Sequence, residues 1–276
     1  MNDDILLRID DLHVAYPGRG WRSSPKEILH GVSASVARGK TLGLVGESGS
    51  GKSTMGRALL GLAPVTGGSV EFDGRDITHA GRAERRVLSK DIQVVFQDPY
   101  TSLNPSMTVG DILSEPLQTA GVMRREAVRR IDELLDQVGL PRNAAGRLPR
   151  EFSGGQRQRV AIARALALRP SLIVCDEPVS ALDMSTQARV LDLLLDLQAE
   201  TGVSYLFISH DLGVVRHMCH DVSVLYRGDI VESGPGERVT LDPQHEYTRR
   251  LMLAAPIADP VAQAERRRQR LAVAQI

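Results

Sequence analysis

Leu42-Gly43-Leu44-Val45-Gly46-Glu47-Ser48-Gly49-Ser50-Gly51-Lys52-Ser53-Thr54 is the stretch on which the reading of this chain turns. Gly46 to Ser53 satisfy every required position of the phosphate-binding pattern G-x-x-x-x-G-K-[ST]. The apolar run 42–45 before it predicts a strand, and Met55-Gly56-Arg57-Ala58-Leu59-Leu60 after it suits a helix. Glycines let such a loop curl until successive N–H groups converge on phosphate oxygens at a helix N-terminus. In this pattern Lys52 reaches the β- and γ-phosphates and the Ser53 hydroxyl can ligate Mg²⁺. The loop predicts nucleotide binding and leaves open what the nucleotide is for.

Outward from the loop, bulk composition excludes several classes. The chain has 276 residues, 42% of them hydrophobic, enough for a sizeable core. Lys+Arg and Asp+Glu both number 34, so there is no overall electrostatic case for a nucleic-acid partner. Cys175 and Cys219 are the two cysteines, far apart and without a C-x-x-C partner, which argues against a disulfide framework and fits a reducing cytoplasm. The start is acidic, and no apolar run approaches the ~18 residues of a membrane span. No signal peptide or transmembrane helix is therefore expected, and any service to a membrane would run through another chain.

The pattern along the chain predicts an α/β fold. Residues 5–16 read as an edge strand, followed by a Gly/Pro/Ser-rich loop over 17–25, with further strands at 29–36, 42–45 and 68–72 before an Asp73-Gly74 turn. Ile92-Gln93-Val94-Val95-Phe96 reads as a buried strand. From about Met107 to Ala167 the pattern is helical, with apolar positions at helical spacing over 126–138 and a stop at Gly139 and Pro141. Strands at 172–175, 205–208 and 222–225 then alternate with helices at 187–198 and 212–219, which predicts a parallel sheet flanked by helices. The helical block looks inserted into that sheet. After Gly236 the chain reads as a polar, proline-punctuated tail.

Two further segments carry chemistry. Leu172-Ile173-Val174-Cys175-Asp176-Glu177 is an apolar strand ending in two acids, whose mutual repulsion needs a cation or a reaction to justify it. In a phosphate-loop protein Asp176 would hold the Mg²⁺ shell and Glu177 would act as the base that orients and polarises the attacking water. Ser153-Gly154-Gly155-Gln156 opens a helix, and its N–H groups form an expected anion site.

Phe152-Ser153-Gly154-Gly155-Gln156-Arg157-Gln158-Arg159, lying just ahead of the acidic strand, resembles the signature sequence of ATP-binding cassette (ABC) proteins. The resemblance then extends in order over residues 5 to 255. Gln97 resembles the glutamine that senses Mg²⁺ and water and hinges the helical insertion. Ser180-Ala181-Leu182-Asp183 resembles the loop that crosses a dimer interface, His210 the switch histidine on the γ-phosphate, and Tyr16 the aromatic that stacks on adenine. The fold implied is a P-loop NTPase (RecA-like) mixed-sheet core with an antiparallel β subdomain and an inserted α-helical subdomain at about 98–166, the cassette spanning 1–240 and a C-terminal tail 241–276. The resemblance implies ATP and Mg²⁺ as cofactors, with Tyr16, Gly46 to Thr54, Ser153 to Gln156 and Asp183 on the nucleotide. Ser53, Gln97 and Asp176 would serve the metal, and Glu177, His210, Gln97 and Lys52 the hydrolysis. It also implies that two subunits pair head-to-tail, sandwiching ATP between Lys52 of one and Ser153 of the other.

Gln97-Asp98-Pro99-Tyr100-Thr101-Ser102-Leu103-Asn104-Pro105, with the segments 109–117 and 151–159, resembles the oligopeptide/dipeptide/nickel importer branch, as does His245-Glu246-Tyr247-Thr248-Arg249-Arg250-Leu251, where Glu246 replaces a proline. The implied partners are a second ATPase subunit, identical or different, two transmembrane permease subunits docking by the segment after Gln97, and an extracytoplasmic solute-binding protein. The implied location is the cytoplasmic face of the membrane. No iron–sulfur cluster is expected, since the tail lacks the cysteines that often hold one in that branch. A cassette ATPase acting on DNA or the ribosome is the alternative. It would usually show two cassettes or a long coiled-coil insertion. His217-Met218-Cys219-His220 invites a metal reading, but with no second cluster it reads better as a helix end. Arg266-Arg267-Arg268-Gln269-Arg270 reads as a solvated terminus.

Overall fold

The computed structural model describes residues 4–18 and 24–254. The arginine-rich segment 266–270 lies outside these, as does part of the loop expected over 17–25. Among the described residues the strands are, in order, β1 Ile5–Tyr16, β2 Lys26–Ala37, β3 Thr41–Val45, β4 Val65–Phe72, β5 Arg75–Asp76, β6 Ile92–Val95, β7 Leu172–Asp176, β8 Ser204–Ser209, β9 Asp221–Tyr226 and β10 Asp229–Pro235. They fall into two compact units, one of residues 4–6, 36–40 and 79–206, the other of 7–18, 24–35, 41–78 and 207–254.

In the first unit β6 and β7 pair in parallel, from Ile92 opposite Leu172 to Val95 opposite Cys175. Both faces of β7 are buried from Leu172 to Cys175, which is why it reads as an unbroken apolar run. The helical block consists of helices Val109–Thr119, Arg124–Gln137 and Gly154–Leu166. Thr108 opens the first of them with a capping box, its hydroxyl accepting from the Asp111 N–H at 3.2 Å. Leu113, Leu134, Leu135 and Val160 lie fully buried within the block. Arginines close its helix ends. Arg130 donates to the carbonyls of Leu166 (2.8 Å) and Ala167 (3.3 Å), and Arg159 to that of Val138 (3.0 Å).

In the second unit β1, β2, β4 and β5 form one sheet in the order β2-β1-β4-β5, with β4 antiparallel to both β1 and β5. β1 is therefore an interior strand, where the sequence predicted an edge. Leu7, Ile9, Leu12 and Val14 are all buried, and the alternation is interrupted by a bulge between Asp10 and His13. Asp11 there has φ 48°, and Gly68 opposite has φ 77°. A Cβ on Gly68 would stand 2.1 Å from the Asp11 carbonyl oxygen, so only glycine closes this bulge.

β3 and β9 pair in parallel, Leu42 opposite Asp221 to Val45 opposite Val224, and β10 returns antiparallel to β9. The expected tail contains two helices, Gly236–Leu241 and Glu246–Ala254. Tyr247 of the second enters a buried cluster with Val45, Leu212, Val215, Val222, Val224 and Val239, and Leu251 and Met252 pack on its margin. This apolar face turns the polar-looking segment into packed structure.

Candidate functional site

The phosphate loop is fully formed. β3 leads into Gly46, and the helix Lys52–Leu59 begins directly after Gly51. Gly46, Gly49 and Gly51 have φ 154°, 83° and 114°, in the half of the backbone map that favours glycine. At Gly46 close approach adds to this: a Cβ would lie 2.1 Å from the Leu225 carbonyl oxygen and 2.8 Å from Ser50 Oγ. Lys52 is 5% exposed, and its ammonium donates to the carbonyls of Gly46 and Glu47, both at 2.8 Å. Ser50 Oγ is buried without a hydrogen-bond partner, an orphaned hydroxyl within the loop. Ser53 and Thr54 are half-buried in the first helical turn. Tyr16 is half-buried at the end of β1, and His210 is exposed immediately after β8.

In the first unit the acids close β7, with Asp176 and Glu177 both half-buried. Glu177 has φ 50°, a left-handed conformation uncommon for this residue type. Its carbonyl accepts from Ser180 N–H (3.3 Å) and Ser180 Oγ (3.1 Å), which holds the turn that leads onward. Burial pushes the neighbouring Cys175 thiol far up, so it stays a neutral, inert core group.

Asp183 N-caps the helix Met184–Thr201, accepting from Ser185 N–H (3.1 Å), Ser185 Oγ (2.7 Å) and Thr186 N–H (3.0 Å). The Ser185 hydroxyl and then Thr186 hold its carboxyl well below the usual carboxylate range. The helix thus starts three residues before the expected position.

Ser153 caps the helix Gly154–Leu166. Its Oγ accepts from Gln156 N–H at 3.3 Å, and Gln156 Oε1 accepts from Ser153 N–H at 3.0 Å. Ser153 and Gln156, both expected to face an anion, are therefore paired with each other. Gly155 has a packing reason of its own, since a Cβ would meet Thr186 Cγ2 at 2.2 Å.

Gln97 is exposed. It stands two residues beyond β6, which ends at Val95 rather than at Phe96. The short helix Pro99–Ser102 follows, anchored where Arg164 donates to the Ser102 carbonyl at 2.6 Å.

The chemistry missed in the sequence is in the tail. The Tyr247 hydroxyl accepts a 2.9 Å hydrogen bond from the N–H of Glu47, inside the phosphate loop. Among the described residues no three or more His, Cys, Asp or Glu are grouped to hold a metal. His220 Nδ1 accepts instead from the Thr41 N–H at 3.1 Å, and Cys219 packs over Gly43. No helix among them is long and apolar enough to cross a membrane.

The pattern of the ABC transporter family matches residues 29–180, more than half of the chain. The chain belongs to the ABC transporter family. This ABC chain is 55% identical over 232 residues to the oligopeptide transport ATP-binding protein OppD of Mycobacterium tuberculosis, covering 84% of the chain and 38% of that protein. It is 49% identical over 267 residues to the glutathione import ATP-binding protein GsiA of Escherichia coli O157:H7, covering 95% of the chain and 43% of that protein. The ABC chain thus spans about two-fifths of the length of these curated relatives. Among solved structures, cbiO1 of Clostridium perfringens, part of an ABC transporter complex, superposes with a TM-score of 0.77 at 27% identity, over 87% of this chain and 92% of that one. A dimeric ATP-binding cassette in a post-hydrolysis state with ADP and phosphate superposes with a TM-score of 0.73 at 30% identity, over 83% and 98%. The α/β P-loop NTPase fold expected from the sequence is thereby established.

Proposed function

We propose that this chain is the ATP-binding and ATP-hydrolysing subunit of an importer, powering uptake of peptides or a related small solute. The observation that carries the reading is its high identity, across most of its length, to proteins named for oligopeptide transport and glutathione import. A DNA- or ribosome-directed cassette ATPase has no such support. The cassette would span 1–240 with a tail 241–276, working with a second ATPase subunit, two permease subunits and a solute-binding protein at the cytoplasmic face of the membrane.

In this reading Tyr16 stacks on adenine, while the 46–54 loop and Lys52 take the phosphates. Lys52 is already held by two carbonyls, which are weaker partners than phosphate oxygens, so it is poised to exchange. Ser153 to Gln156 of a second copy close over the γ-phosphate, with Asp183 at the subunit boundary. Glu177 polarises the attacking water, and His210 and Gln97 read the γ-phosphate and the metal. Ser53, Gln97 and Asp176 supply hydroxyl, amide and carboxylate oxygens, a hard donor set suited to Mg²⁺. That ion would neutralise phosphate charge when bound. The γ-phosphate charge glues the two copies and its release loosens them, moving whatever is docked on the segment after Gln97.

Glu177→Gln keeps the size of the side chain and removes its basicity. The expected result is loss of ATP turnover with ATP-dependent dimerisation retained, read by phosphate release and by size-exclusion chromatography. Hydrolysis at the parent rate would remove Glu177 from the role of base. The transported solute follows from which candidate stimulates ATPase activity in the purified membrane complex.

A further inference from the structure

The tail beyond β10 reaches the phosphate loop, and it does so through a built set of contacts. Glu232 of β10, 8% exposed, accepts backbone N–H bonds from Gln244 (2.8 Å) and His245 (3.0 Å), which fixes where the last helix begins. Tyr247 N–H donates to His245 Nδ1 at 3.2 Å, and Arg249 Nε to the Pro243 carbonyl at 2.9 Å. The Tyr247 ring, 4% exposed, packs against Tyr226 with centroids 4.1 Å apart. So held, its hydroxyl accepts from the Glu47 N–H.

The peptide joining Gly46 to Glu47 is therefore fixed at both ends. Its N–H goes to Tyr247, and its carbonyl takes the Lys52 ammonium. The following carbonyl, that of Glu47, accepts from Lys52 and from Ser50 N–H (3.2 Å). We propose that Tyr247 is a positioning residue for the phosphate loop, and that 243–254 form a clasp setting the orientation of the Gly46–Glu47 peptide from which Lys52 departs to meet ATP.

The chemistry suits the task. A phenol accepts a hydrogen bond without bringing a negative charge toward a loop that must bind phosphate. Burial pushes the Tyr247 hydroxyl up from its ordinary value, so it stays neutral across the physiological range. A carboxylate here would accept equally well and would repel the ligand. The clasp also makes the loop responsive to anything that draws the last helix away from its cluster.

This inference rests on the ATP-binding reading above. Its test uses the full purified chain, a fluorescent ATP analogue, and thermal unfolding without nucleotide. Tyr247→Phe keeps the ring in its cluster and removes only the acceptor. Losing one neutral hydrogen bond predicts a rise of about 2- to 10-fold in the dissociation constant and in KM for ATP. The kcat at saturating ATP should hold near the parent value, and the nucleotide-free unfolding midpoint should fall by no more than the few degrees, about 5 °C at most, that one lost hydrogen bond accounts for. Glu232→Gln, which weakens the anchor of the same helix, should weaken ATP binding in the same direction and add little on top of Tyr247→Phe. Parent-like ATP affinity in Tyr247→Phe overturns the clasp alone. In Tyr247→Phe, an unfolding midpoint lowered well beyond those few degrees also overturns it, since the affinity loss is then a packing effect. A parent chain that binds no ATP overturns both this inference and the function on which it rests.

Discussion

Gly155→Ala isolates one contact between the signature helix and the helix that follows Asp183. The added Cβ would lie 2.2 Å from Thr186 Cγ2, whereas carbon atoms rest at about 3.5–4.0 Å. One of the two helices must therefore move by more than about 1 Å, or Thr186, whose β-branch is stiff, must leave its rotamer. Overpacking of this kind costs about 1–3 kcal/mol. Alanine offsets up to about 1 kcal/mol of that through its better helix propensity. The net expectation is a loss of about 0–3 kcal/mol. Thr186→Ser removes the offending methyl while Oγ1, 3.8 Å from the same position, stays clear. In that background Gly155→Ala should be neutral or stabilising by up to about 1 kcal/mol, a coupling of about 1–3 kcal/mol. Urea denaturation of the four proteins, with slopes compared, measures the cycle. If Gly155→Ala cost the same in both backgrounds within about 0.5 kcal/mol, the methyl contact would not be the reason for glycine at this position.

Gly46→Ala should abolish ATP binding by titration calorimetry while the circular dichroism of the fold persists, because its Cβ would strike the Leu225 carbonyl oxygen; parent-like binding would show the loop more adaptable than its geometry allows. For Glu232, burial pushes the carboxyl up, but the N–H groups of Gln244 and His245, with Arg238 nearby, together leave it below its usual value. A depressed carboxylate stabilises above its unfolded pKa of about 4.3, and the effect fades as pH falls through the lower folded value. The unfolding midpoint of the parent should exceed that of Glu232→Gln most clearly above about pH 5, with the gap closing below about pH 4. A gap independent of pH would assign Glu232 a role without its charge.

What the sequence revealed was local. The 46–53 loop, the Ser153 cap and the apolar strand ending at Asp176 each carry their signal within about a dozen residues, and each stands where it was expected. The misreadings share a non-local cause. β1 looked like an edge because its bulge at Asp11 breaks the alternation, and the glycine that closes the bulge is Gly68, far along the chain. The tail helices are 6 and 9 residues long, too short to be stable alone, and proline and glycine nearby mimic a loop. They exist because Tyr247 inserts among valines of other elements. The Tyr247–Glu47 bond joins positions 200 apart in sequence, and no pattern within either segment announces it.

The left-handed backbone at Glu177 sets stability and activity against each other at a single residue. A non-glycine residue in such a conformation costs on the order of 1 kcal/mol or more. Glycine or asparagine would sit there more comfortably, and either would erase the carboxylate proposed as base. A search for thermostable variants scored on folding alone would therefore be drawn to this position, as to Arg169 and Arg227 with φ 54° and 50°, and at Glu177 it would enrich for dead enzymes.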